Sequence, residues 1–422
     1  MSRLRLLFSL ATRSLANRRL TALLTVLSIA VSVALVVGVD RVRTEAKRSF
    51  TNTISGADLI VGARSGPLNL LLYSVFRIGD PTNNVSYDAY LDVAARDDVA
   101  WTIPISLGDS HRGFRVMGTT DAYFEHYRYA DRRPLEFLAG ERFVNVNHAV
   151  VGADVARALG YSVGDDIIVS HGIGATSFQD HLELPFQVTG ILARTGTPVD
   201  RTVHVTLAGI EAIHNGWART PAAREPLAAT IAEQAALRPQ SITAYIVGME
   251  SRIGIFTLQR WVNEYDEEPL MAIVPGVTLS QLWGLVGIAE TALFAVSGFV
   301  VLGGLIGLLT TLLTSLNERR REMAVLRSIG AGRGLVFALL IVEAGILAFI
   351  AALAGSALIH GILRFARPFI LEEFGFYLAG GGPGLFDATV IVVVTLAAVI
   401  LAALPAWRAY RYSLADGLTV RT

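Results

Sequence analysis

Among 422 residues there is a single lysine, Lys47, and it follows Ala46 rather than a glycine. A phosphate-cradling loop of the G-x-x-x-x-G-K-[ST] kind needs that lysine to reach the nucleotide phosphates. The chain has no such loop, so any ATP must be hydrolysed by another chain. Cysteine is absent, which removes disulfides, thiolate zinc sites and cysteine nucleophiles together. No G-x-S-x-G stretch occurs, so a serine nucleophile on a strand-to-helix elbow is missing and hydrolysis by this chain is disfavoured. His171, His181 and His204 fall in one stretch with Asp180 and Glu183, and imidazole with carboxylate can hold zinc. Their spacing lacks the i, i+4 pairing of ligands on one helix, so they remain candidates only and no metal site is assigned. Two carboxylates, Glu290 and Glu343, interrupt long apolar runs. Carboxylates in hydrocarbon are expensive and often move ions. The milder reading places Glu290 above the lipid and gives Glu343 a hydrogen bond to a neighbouring helix.

The elements that must carry these residues follow from hydropathy. The hydrophobic fraction is 52% and the mean hydropathy +0.49, too apolar for an ordinary soluble protein. Basic and acidic residues balance at 36 each, which gives no support to a nucleic-acid partner. Spanning a bilayer takes about 20 apolar residues in a helix, and four segments qualify: 20–39, 285–313, 335–359 and 388–404, the last expected to stop at Pro405. The first is read as an anchor rather than a cleaved signal, because it lacks a small-x-small cleavage site before Asp40. Basic residues mark the cytoplasmic side. Arginines crowd segment 1–19, an amphipathic start, as well as segment 314–334 and the tail 405–422, whereas 360–387 mixes both signs as a short translocated loop does. Both termini are then cytoplasmic.

Residues 40–284 must accordingly lie on the far side as a domain with its stalks. Strand-like runs at 114–118, 166–170, 186–192 and 242–248 alternate with helical stretches such as 252–264 and an Ala-rich surface helix at 221–237, so the domain reads as α+β. The expected fold class is an α-helical membrane protein with four transmembrane helices plus this large extracytoplasmic domain between helices 1 and 2. Within it, the apolar run Leu68 to Phe76 is read as core, the rival being an exposed face for lipid or a partner protein.

One cytoplasmic stretch has a distinctive pattern. In ERRREMAVLRSIGA, residues 318–331, Met323, Leu326 and Ile329 at i, i+3 and i+6 form an apolar ridge beside a basic face, and Gly330 and Gly332 supply a turn back toward the membrane. A short amphipathic helix between two spans suits a groove on a partner. This stretch resembles the signature of FtsX/MacB-like permeases. The tail LPAWRAYRYSLADGL at 404–418 is similar to the end of that family, and VVGADVARALGYSVGDDIIV at 150–169 with FQVTGILARTGTPVDRTVHVTL at 186–207 is similar to the extracytoplasmic domain of MacB-like permeases.

The resemblance implies a permease subunit of an ABC complex in the bacterial inner membrane. It implies a separate ABC ATPase that binds ATP and Mg, with no cofactor on this chain, and a homodimer or a paired permease. ATPase coupling would fall to Glu318, Arg319, Arg320, Arg321, Glu322, Met323, Leu326, Arg327, Ile329 and Gly330. Further partners implied are membrane lipid and a periplasmic adaptor or substrate protein. The expected action is mechanotransmission, in which ATP-driven movement reaches the outer domain and exports or extracts a hydrophobic or envelope-associated substrate. The alternative is a signalling module that activates a periplasmic partner without transport.

Overall fold

The computed structural model describes residues 3–130, 132–171, 185–214, 237–318, 332–374 and 382–411. Its helices in chain order are α1 (Arg3–Asn17), α2 (Arg19–Thr53), α3 (Pro67–Leu71), α4 (Tyr87–Ala94), α5 (Ala122–His126), α6 (Ala153–Leu159), α7 (Leu207–His214), α8 (Ile255–Asn263), α9 (Pro275–Glu318), α10 (Arg333–Phe374) and α11 (Leu385–Arg411). The chain divides into a helical unit, residues 1–45, 286–367 and 379–422, and an α/β unit, residues 46–285 and 368–378.

In the helical unit, four helices are long and apolar enough to cross a membrane: α2, α9, α10 and α11. α9 opens with Pro275, whose fixed φ and missing N–H suit a first helical turn. At 44 residues it is about 66 Å long, roughly twice the hydrocarbon thickness of a bilayer. Ile29, Val33 and Val37 recur at i, i+4 and i+8 along α2 and join Leu305, Leu308 and Leu312 of α9 in one buried cluster. α10 meets them with small side chains, Ala344, Ala348, Ala351 and Ala352, and α11 with Ala398 and Ala402. At Gly355 a β-carbon would fall 2.4 Å from the Ala30 carbonyl oxygen, so only glycine lets these two backbones touch.

Two boundaries differ from the hydropathy reading. Segment 360–387, expected as a loop, is helical as far as Phe374. Apolar runs report fit to hydrocarbon, while the helix itself needs only an unbroken backbone ladder. Pro405 does not end α11, which reaches Arg411, and Pro368 sits inside α10. Each proline deletes one N–H donor, and the neighbouring hydrogen bonds carry the helix past it.

The α/β unit is built on an 11-stranded sheet. Its main strands are β1 (Leu59–Ala63), β2 (Val99–His111), β3 (Phe114–Thr119), β4 (Phe137–Gly140), β5 (His148–Val151), β6 (Phe186–Leu192), β7 (Thr202–Thr206), β8 (Ala244–Met249) and β9 (Leu270–Ile273). They lie in the order β9-β1-β8-β2-β3-β7-β5-β6-β4. The β3–β7 and β5–β6 pairs are parallel and the other neighbours antiparallel. β2 belongs to both halves. Val99 to Ile105 pair with β8, and Ser106 to His111 pair with β3, with a register shift between Leu107 and Ser110. Gly108 adopts φ of 150° there, which side-chain-bearing residues rarely do.

The strand expected over 166–170 is split: Asp166–Ile167 pairs with β6 and Ser170–His171 with β2. The expected helix 252–264 is a 3-10 turn, Arg252–Gly254, followed by α8. The Ala-rich stretch lies outside the described residues up to residue 236. Apolar clusters fill both faces of the sheet. Leu70, Leu71 and Phe76 are part of one of them, so the apolar run 68–76 is core, folded as α3 and a π-helical turn, Leu72–Phe76. Phe50 and Ile54 near the end of α2, with Leu279 and Leu282 near the start of α9, pack into that same cluster. Phe50 also makes an edge contact with Trp283, with ring centroids 5.7 Å apart.

Candidate functional site

In the helical unit, a cluster of buried polar and charged side chains meets where α11 begins. Asp387 is the third residue of that helix, and its Oδ2 accepts a hydrogen bond from the Gly384 N–H at 2.9 Å. This is the acidic half of a capping box, placed where the helix dipole also favours a negative charge. The other acceptor positions of the carboxylate are filled from two further helices. Arg41 Nη2 of α2 donates to Oδ2 at 2.6 Å, while Ser356 Oγ and His360 Nε2 of α10 donate to Oδ1 at 2.9 Å and 2.8 Å. Ser356 and His360 are four residues apart and therefore share a helix face. Arg41 Nη2 donates in addition to the Gly382 carbonyl at 2.9 Å. The Asp387 side chain is 1% exposed.

Serine, histidine and aspartate side by side suggest a relay, but the geometry is a different one. Both Ser356 and His360 point at the carboxylate, so the serine proton has no path to the imidazole and no nucleophile is activated. What the arrangement does is join α2, α10 and α11 through one buried anion.

Two residues further along α2, Arg43 Nε meets Glu290 Oε2 of α9 at 2.7 Å. Positions i and i+2 lie about 200° apart around a helix, so the two arginines grip neighbours on nearly opposite sides of α2. The grips are unequal. Arg43 and Glu290 are 42% and 17% exposed, and such pairs contribute about 0–1 kcal/mol. Removing one partner of a buried pair like Arg41–Asp387 costs about 3–5 kcal/mol, because the other charge is left stranded. Glu290, considered for ion coupling, is thus paired with arginine, and Glu343 is buried in α10.

Of the residues expected to couple to an ATPase, Glu318 is the last residue of α9. Arg319, Arg320, Arg321, Glu322, Met323, Leu326, Arg327, Ile329 and Gly330 lie outside the described residues, as does His181. His171 closes a short strand opposite Asp109 of β2. His204 is fully buried in β7, with Nδ1 3.1 Å from the Val150 carbonyl oxygen and its ring 5.1 Å from that of Tyr123. Burial first, and the nearby Arg77 charge second, push its pKa down to about 3, so it is a neutral core residue. Among the described residues no three His, Cys, Asp or Glu side chains are grouped to hold a metal.

The two stretches at 150–169 and 186–207 meet in the α/β unit. Asp154 Oδ1 of α6 accepts from Arg157 at 2.9 Å and pairs with Arg194 at 3.3 Å. Asp200 accepts from the Thr195 N–H and hydroxyl, both at 2.8 Å, and from the Gly196 N–H at 2.7 Å. These contacts shape loops and leave no carboxylate directed at a ligand. Sequence reasoning missed the Asp387 junction, since Arg41, Ser356, His360 and Asp387 share no local pattern. The available signal was an arginine and an aspartate, each at the edge of an apolar run.

Comparison with known proteins fits this two-part architecture. Residues 22–238, just over half of the chain, match the model of the MacB-like periplasmic core domain, and residues 294–414 match that of the FtsX-like permease C-terminal region. Comparison with curated proteins gives no match. Among solved structures, the periplasmic region of MacB from Actinobacillus actinomycetemcomitans is similar at 10% identity, covering 55% of this chain and 94% of that one, with a TM-score of 0.34. The extracellular domain of the noncanonic ABC-type transporter YknZ from Gram-positive bacteria is similar at 12% identity, covering 51% and 98%, with a TM-score of 0.30. Likenesses at these scores add no weight, and the assignment rests on the two family models. Permeases of this kind generally work with an ABC ATPase. With four helices long and apolar enough to cross a membrane, an α/β unit beside them in the sequence, and family models matching both parts, this membrane protein belongs to the FtsX/MacB-like family of ABC transporter permeases.

Proposed function

We propose that this chain is the non-catalytic membrane subunit of an ABC complex, coupling ATP hydrolysis on a separate ATPase to movement of its own α/β unit. That movement would export or extract a hydrophobic or envelope-associated substrate. The observation that carries the reading is the rooting of two spans in the α/β core. Phe50 and Ile54 of the α2 segment, with Leu279 and Leu282 of α9, share a cluster with Leu70, Tyr73 and Ile103. A close-packed interior transmits displacement rather than absorbing it, so a push on either helix reaches the sheet. The spans offer few polar side chains to line an aqueous path, which favours transmitted force over a pore.

In this reading the protein sits in the bacterial inner membrane with both termini and segment 314–334 cytoplasmic, as the arginine distribution favours. Met323 and Leu326 enter a groove on an ATPase that holds Mg and ATP, and two permease copies, identical or paired, complete the complex. The test is co-purification of an ATPase with the full chain and the effect of Met323→Asp and Leu326→Asp on its turnover. Loss of stimulation is expected. Unaltered stimulation, or an ATPase that never co-purifies, removes the proposal. The size of segment 40–284 favours transport over signalling. Crosslinking from the α/β unit separates the two, since a trapped lipid or lipoprotein supports transport and a trapped hydrolase supports regulation.

A further inference from the structure

We propose that Arg77, Tyr123 and His204 enclose a water-binding site in the core of the α/β unit, where one water completes the hydrogen bonding of all three side chains. The inference stands whether or not the chain couples to an ATPase.

The three residues belong to elements that meet on one face of the sheet. Arg77 follows the π-helical turn Leu72–Phe76, Tyr123 lies in α5 and His204 in β7. His204 pairs in register with Met117 of β3 and Val150 of β5, so these three side chains share a face. Arg77 reaches that face with Nη2 against Met117 Sδ, while Nη1 donates to the Ser74 carbonyl. The rings of Tyr123 and His204 lie 5.1 Å apart. Burial pushes the Tyr123 pKa up to about 12, and the nearby Arg77 guanidinium opposes that rise. The same guanidinium adds to the burial that keeps His204 neutral. Arg77 holds φ at 60° in making this approach, a backbone conformation uncommon outside glycine and kept where the surroundings impose it.

Each side chain brings one buried atom that no described residue satisfies: Arg77 Nε, Tyr123 Oη and His204 Nε2. Tyr123 and His204 are fully buried, so bulk solvent does not reach them. The character of these atoms selects the ligand. His204 Nδ1 faces the Val150 carbonyl oxygen, which only accepts, so Nδ1 carries the proton and Nε2 is an acceptor. Arg77 Nε only donates, and the tyrosine hydroxyl does either. A bare anion would suit Arg77 and Tyr123 but would set negative charge against the Nε2 lone pair. A metal ion would suit Nε2 but would meet the guanidinium charge. Water accepts from Arg77, donates to His204 and takes its third bond with Tyr123, and three bonds is the usual number for a buried water. Without such a bridge all three atoms would bear the cost of burial unpartnered.

The site lies close to the end of the first long helix. Phe76, next to Arg77, packs on Phe50 of α2 with ring centroids 4.6 Å apart. Tyr123 stacks on Tyr127 at 4.8 Å, and the Tyr127 hydroxyl donates to the carbonyl of Thr53, the last residue of α2. The water thus joins the turn beside α2 to the middle of the sheet.

The experiment pairs thermal unfolding of the full chain in detergent with its structure in lipid nanodiscs at a resolution that shows ordered water. Tyr123→Phe removes one oxygen and keeps the ring. Loss of a bridged hydroxyl is expected to lower the unfolding midpoint by about 2–4 °C. A midpoint that stays or rises would mean the hydroxyl had no partner to lose, and would overturn the proposal. Density is expected to show one peak about 3 Å from Arg77 Nε, Tyr123 Oη and His204 Nε2, and this decides the matter if Tyr123→Phe fails to fold. Arg77 turned out to solvent, or Tyr123 Oη bonded directly to His204 Nε2, would overturn it. Exchanging chloride for gluconate at constant ionic strength should leave the parent midpoint unchanged. A midpoint that rises with chloride would assign the site to an anion and overturn the choice of water.

Discussion

Asp200 in the α/β unit takes its hydrogen bonds from Thr195 and Gly196, five and four residues away. Asp387 in the helical unit takes three of its four from Arg41, Ser356 and His360, the nearest 27 residues away. The contrast reflects what holds each unit together. In water, burying Leu70, Ile103 or Phe186 is itself the driving force, and polar groups need only shape the loops. In hydrocarbon, apolar helices gain little from meeting one another, so close approach by small residues and a few long-range polar joints must specify the bundle. Substitutions should therefore act by different rules in the two regions.

The sharpest separation should come from Asp387→Ala. It is expected to destabilise the full chain by about 3–5 kcal/mol, read as a lowered midpoint of thermal unfolding in detergent. A change under about 1 kcal/mol would dissolve the contrast. In the α/β unit, Leu70→Ala is expected to cost about 2–5 kcal/mol through lost burial and the cavity left behind. Denaturant unfolding followed by tryptophan fluorescence checks it, and no loss would mean this core yields more readily than its packing suggests.

A pH series probes the same core. His204 is held neutral with its pKa lowered to about 3, so the unfolded chain takes up a proton that the folded chain refuses. Stability from this group is complete above about pH 6.5 and falls as pH drops toward 3, by up to about 1.4 kcal/mol per pH unit. Unfolding midpoints at pH 7 and pH 5.5 should diverge in the parent chain and converge in His204→Asn. Equal divergence in both would assign the acid sensitivity to other groups. The smallest effect should be Arg43→Ala, worth about 1 kcal/mol or less because its pair is partly exposed. A loss as large as that of Asp387→Ala would make the two arginine grips equivalent.

The parts legible from sequence were those with a local physical signature. The strand Phe186–Leu192 fell where the apolar alternation placed it, and the four membrane helices followed from hydropathy. Element ends were less legible. Ile362, Phe365 and Phe369 continue α10 past the point where the sequence reads as a loop, because charges nearby lower the average without breaking the backbone ladder. Pro405 reads as a stop by itself, yet a helix packed on one side tolerates one missing donor. The Asp387 junction was the least legible, since its four residues come together only when three helices pack. By contrast, the apolar run at Leu70 and Leu71 fits a buried strand, a helix or an exposed patch equally by composition, and only its neighbours decide for the core.

β2 has a consequence for how the α/β unit can deform. Because a single strand serves both halves, their boundary is not a seam that can open, as two domains joined by a loose tether would. Parting them would mean tearing β2 from β8 over Val99 to Ile105 or from β3 over Ser106 to His111. The low-energy deformation left is a flexing of the strand itself at its irregular point, Leu107 to Ser110, with Gly108 as the knuckle. Any load delivered to this unit is then expressed as a change in sheet curvature, a bowed plate rather than an opened jaw.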